Sequence, residues 1–74
     1  MRLNEVLKSY RLSGFDIEYK DLYGNVYKKE DLSVEEIFKI EDLIVRNVDI
    51  NFIRKEVVFH LIDLWELMHK KEGR

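Results

Sequence analysis

The chain has 74 residues, with no cysteine and no proline, and a net charge of −2 from 15 acidic and 13 basic side chains. That length accommodates one small domain, residues 1–74, and the missing thiols exclude disulfides, cysteine-ligated zinc and thiol chemistry. The near balance of charge argues against a protein built around phosphate-backbone binding, while an apolar fraction of 46% argues against wholesale disorder.

Leu3, Val6, Leu7 and Tyr10 recur at helical spacing, so the spacing predicts a short N-terminal helix that Ser13-Gly14 ends. Phe15, Ile17 and Tyr19 then alternate with Asp16, Glu18 and Lys20, the period of a strand with one wet face. Leu22-Tyr23-Gly24-Asn25 supplies turn chemistry, and Val26-Tyr27-Lys28 returns as a short partner strand. A two-stranded hairpin is weak by itself, so this one is expected to lie on the helices.

Ser33 followed by Glu36 is a capping box, and the acids at 35 and 36 suit the positive end of a helix dipole. The helix they start is expected to reach Val45 or Arg46. Its apolar arc comprises Val34, Ile37, Phe38, Ile40, Ile44 and Val45, with Leu43 at one edge and Glu41 intruding.

Residues 48–68 are dense in large apolar side chains and can be read with either of two periods. As a hairpin over 48–62, Val48, Ile50 and Phe52 form one strand face and the chain returns through Val57 to Ile62. A short helix, capped by Asp63 with Glu66, then follows. Arg54-Lys55 lacks the Gly, Asn or Asp that a tight two-residue turn favours.

As a helix, at about 100° per residue, Ile50, Ile53, Val57, Leu61, Leu64 and Met68 fall together, with Lys55, Glu56, Asp63, Glu66 and Lys70 opposite. Asp49 can cap its start, Lys70-Lys71 suit its end and Gly73 offers a stop. The angular agreement favours one long helix from about Ile50 to Lys71. The expected fold is therefore α+β: a short N-terminal helix, a β-hairpin, and two antiparallel helices. The second hairpin at 48–62 is the competing architecture.

Such a helix carries more apolar surface than its small domain can cover. Phe52 and Phe59 on its otherwise polar arc, and Trp65 beside Met68, are the candidate interface anchors, because aromatic residues and Met are enriched where interfaces are fully buried. Glu41 and Arg54 each intrude on an apolar face of the expected helix pair, so they are the candidate buried ion pair.

Catalytic chemistry finds little footing. His60 and His69 are nine apart and cannot share a metal on one helix, and His69 with Glu66 supplies only two ligands. The carboxylates Glu35, Glu36, Glu41 and Asp42 are read as capping and solvation. No glycine-rich phosphate loop or nucleophile elbow is present. No enzyme activity, metal or cofactor is expected.

Residues 48–68 contain Asp49, Arg54, Lys55, Glu56 and Asp63, too many charges for a membrane span, and the mixed polar and apolar segment after Met1-Arg2 is not expected to act as a signal peptide. A cytoplasmic protein with no membrane association is expected. The leading functional reading is a small protein-interaction module, either self-associating as a homodimer or binding a regulatory or host protein. The profile is shared by small accessory proteins, viral ones among them, and by many other small chains. The alternative is a small nucleic-acid-binding regulator, in which residues 47–51 link a helix-turn-helix-like pair. Its basic candidates, Arg46, Arg54 and Lys55, are interleaved with acids.

Overall fold

A computed structural model describes residues 1–70. The chain forms α1 (Leu3–Ser9), β1 (Asp16–Lys20), β2 (Val26–Lys28), a 3₁₀ turn at Lys29–Asp31, α2 (Val34–Ile40), β3 (Val45–Asn51), β4 (Glu56–Leu61) and α3 (Leu64–His69). The class is α+β, but the helices are not laid out as expected.

Residues 48–68 do not form one long helix. Two strands and a short helix replace it, with the turn between the strands at residues 52–55. The sheet order is β2-β1-β4-β3, so β4 lies inside the sheet between β1 and β3. β4 runs parallel to β1, matching Ile17 with Val57 and Tyr19 with Phe59, and antiparallel to β3, matching Val48 with Phe59. No local period reveals the β1–β4 pairing, because its partners lie about forty residues apart in sequence.

Alternation along these strands makes one face apolar and one polar. Tyr19, Val57, Phe59 and Leu61 are fully buried and join Leu3 and Val6 of α1, Ile40 of α2 and Leu64 of α3 in a single core. Burying each such side chain stabilises the fold by about 1.5–3 kcal/mol. The other face is mostly polar, carrying Glu18, Lys28, Asp49, Glu56 and His60 with Val26 and Val58 among them. There His60 Nε2 and Asp49 Oδ2 approach to 2.7 Å, tying β4 to β3.

The turn explains why a two-residue hairpin signal is missing. The Asn51 side-chain oxygen accepts from the Ile53 and Arg54 amides at 3.1 and 3.0 Å, an Asx turn that opens a longer loop. Lys55 closes the loop with φ +55°, a left-handed conformation usually given to Gly or Asn. Its carbonyl then accepts from the Asp16 amide at 2.9 Å, fixing the hairpin against the start of β1.

α2 begins as expected, with the Ser33 hydroxyl accepting from Glu36 N–H and the Glu36 carboxylate accepting from Ser33 N–H. It stops at Ile40 instead of Val45 or Arg46. Competing pairing explains the early stop: the Leu43 carbonyl accepts from Leu3 N–H, and Val45 N–H donates to the Met1 carbonyl. The start of the chain thus draws residues 43–45 into extended structure, which β-branched Ile44 and Val45 favour. A bulge between Val45 and Asn47 re-aims β3 as it enters the sheet.

α1 ends at Ser9, short of Ser13-Gly14. Residues 47–51 lie inside β3, so they do not link two helices as a helix-turn-helix reader requires. Lys71 and Gly73, expected to end the long helix, lie outside the described residues.

Candidate interaction surface

β1 and β4 are parallel, so their starts share one end of the sheet and their finishes share the other. Apolar side chains remain uncovered at both ends. At the starting end, Phe52 is 72% and Ile53 95% exposed at the β3–β4 tip. Phe52 meets Phe15 edge-on with ring centroids 5.9 Å apart. Beside this pair opens a groove of about 650 Å³ with an apolar lining of Leu12, Phe15, Ile17, Leu32 and Ile37. Its charged lining sets the carboxylates of Asp16, Glu18, Glu30 and Glu56 against Lys28 and Lys29, an excess of two negative charges.

At the finishing end, Asp21 shapes the β1–β2 turn. It is 4% exposed, the one buried charged residue among those described. Its Oδ1 accepts from Tyr23 N–H at 2.8 Å and Asn25 N–H at 2.9 Å, and its Oδ2 from the Asn25 side-chain amide at 2.9 Å and the Tyr27 hydroxyl at 3.4 Å. Burial pushes the Asp21 carboxyl up, but these hydrogen bonds together outweigh it and hold the group below its ordinary value. Burial and the Asp21 charge raise Tyr27 in turn.

The turn so fixed presents Tyr23 edge-on to Trp65 at 5.6 Å, and Trp65 stacks on His69 at 4.5 Å. The His69 ring Nδ1 lies 3.0 Å from the Trp65 carbonyl oxygen. A third uncovered patch lies on α2. Val34 and Phe38, one turn apart, are 82% and 75% exposed, although both belong to the arc expected to face the core.

The structure therefore redistributes the expected anchors. Phe52 and Trp65 are on the surface, at opposite ends of the sheet, whereas Phe59 is fully buried beneath the helices and stacks on Tyr19 at 6.4 Å. Met68 packs partly buried against the core. Glu41 and Arg54 are not brought together. Arg54 is exposed in the turn, 3.8 Å from Glu56, while Glu41 caps α2. Tyr19 is pushed up to about 12, first by burial and then by the Glu41 charge.

His60 belongs to the outer sheet face and His69 to α3, so the two histidines remain apart. Among the described residues no group of three or more potential metal ligands converges. No helix among the described residues is long and apolar enough to cross a membrane.

Ile53 and Tyr23, both exposed, and the half-buried Phe15 beneath Phe52 have no surface role in the sequence pattern. The signal for Ile53 is Asn51, whose side chain two residues earlier marks a loop and not a helical turn. In sequence Tyr23 signals only turn chemistry, and the groove depends on β1 meeting the β4 turn, which has no sequence signature.

No family model, curated protein or solved structure matches the chain. Its class is defined by its own geometry: among the described residues, a two-layer α+β domain with three α-helices packed into one core against a mixed sheet. Aromatic and aliphatic side chains are left open at both ends of the two central strands.

Proposed function

We propose that the chain is a small protein-interaction module that self-associates through the end of the sheet bearing Phe15, Phe52 and Ile53. The exposure of Ile53, 95% at the tip of a hairpin whose neighbour Phe52 is 72% exposed, carries the reading. Covering a side chain of this size contributes about 1.5–3 kcal/mol, and contiguous apolar surface on a small domain marks an interaction site. The Asx turn and the left-handed Lys55 hold the tip in one shape, which lowers the ordering entropy lost when it is covered.

The surface also suits a protein better than nucleic acid. On the outer sheet face Lys20 and Lys28 are interspersed with Glu18, Asp49 and Glu56, and the groove beside the tip is negative.

Sedimentation velocity from low to hundreds of micromolar tests the reading. A reversible monomer–dimer equilibrium is expected, with binding of an apolar dye falling as the dimer fills. A monomer throughout that range, with no dye bound, removes its basis.

A further inference from the structure

We propose that two copies of the chain associate by exchange, the Phe52-Ile53 tip of each seated in the groove beside the tip of the other. The inference rests on the self-association proposed above and specifies which surfaces meet.

Complementarity carries it. The tip presents two large apolar side chains followed at once by Arg54 and Lys55, an apolar knob with two positive charges behind it. The groove offers the matching features, with Phe15, Ile17 and Ile37 among its apolar lining and two net negative charges around them. The charges therefore cancel when a tip of one copy meets the groove of another, whereas two tips or two grooves repel. Arg54 already lies 3.8 Å from Glu56 of its own chain, but that contact is long and exposed, and exchange for a partner's carboxylate loses little.

Placement selects the symmetry. Tip and groove adjoin, because Phe15 both lines the groove and packs on Phe52, and Glu56 lines the groove just beyond the turn. A two-fold axis past this border lays each tip over the other copy's groove, so the same contact forms twice and the assembly closes as a dimer. A reciprocal contact doubles whatever area one tip and one groove cover, which favours the closed dimer because stable interfaces bury roughly 1,200 Å² or more.

Charge reversal on exposed side chains divides the contact. Arg54→Glu with Lys55→Glu turns the tip negative, and Asp16→Lys with Glu30→Lys turns the groove positive. Each double variant by itself is expected to associate at least about tenfold more weakly than the native chain. Mixed one to one, the two variants are expected to recover a dimer, because each reversed surface then faces its opposite. Circular dichroism and a melting curve on each variant establish that it is folded.

Undiminished association of the groove variant by itself overturns the exchange in favour of a tip-to-tip interface. Undiminished association of the tip variant overturns it in favour of a surface without the tip. A mixture that stays monomeric overturns it as well. In all three cases self-association survives, whereas a native chain that never dimerises removes both proposals.

Discussion

Replacing Asp21 with Asn keeps the shape of the side chain and removes its charge, which isolates what the carboxylate does for the β1–β2 turn. One oxygen can still accept from the Tyr23 and Asn25 amides, now without charge assistance. The other becomes an NH₂ facing the Asn25 side-chain amide at 2.9 Å, so two donors oppose each other. Hydrogen bonds to a charged group contribute about 1.5–3 kcal/mol each. Asn25 is exposed and can turn to water, so a net loss of about 2 kcal/mol is expected. In a domain of this size that corresponds to about 8–16 °C in Tm.

The carboxyl is held below its ordinary value in the folded chain. Its contribution is therefore present above the unfolded pKa of about 3.9 and is lost as pH falls through the lower folded value. Urea unfolding followed by circular dichroism at pH 7 and in strong acid reads both effects. The native chain and Asp21→Asn are expected to differ clearly at neutrality and to converge in acid. A difference under about 0.5 kcal/mol at pH 7, or one undiminished in acid, refutes the argument.

Lys55→Gly, measured on dilute monomer, is expected to raise stability by about 0.5–1 kcal/mol. A left-handed conformation costs a non-glycine residue about 1–2 kcal/mol, and the extra unfolded-state entropy of Gly returns part of it. Lys55→Ala, equally strained, is the control, and a gain as large for Ala as for Gly rules out backbone strain as the cause. Tyr19, pushed up to about 12, contributes stability that is intact below the unfolded value of about 10 and is lost as pH rises through the folded one. Alkaline unfolding should show this loss in the native chain and a smaller one in Tyr19→Phe. Identical alkaline slopes for the two would assign the loss to other groups.

Features set by neighbouring residues were legible in the sequence. The Ser33–Glu36 capping box depends on atoms three residues apart, and the alternation of Ile17 and Tyr19 with charged residues depends on the pleat of one strand. Both are local and both are found. Glu41 and Arg54 illustrate the limit: each is an odd residue in a helical projection, but their pairing depended on a helix that the chain does not form. Val34 and Phe38 illustrate another, since periodicity identifies a helix face without saying whether anything covers it. Of the four expected anchors, Phe52 and Trp65 reach the surface, while Phe59 lies at the centre of the core because β4 is an interior strand.

The α+β class, the first hairpin, the start of α2 and the exclusion of thiol chemistry were open to reading in the sequence alone. Residues 48–68 were so rich in large apolar side chains that helical and extended periods both placed them plausibly. Tertiary structure decided between the two. A long helix would have left much of that surface bare, whereas β4 between β1 and β3 buries Val57, Phe59 and Leu61 completely. It also gives the weak first hairpin the extra strands it lacks. That choice rests on pairing between distant segments, which no window along the chain can register, and it places Phe52 and Ile53 in the open at the tip.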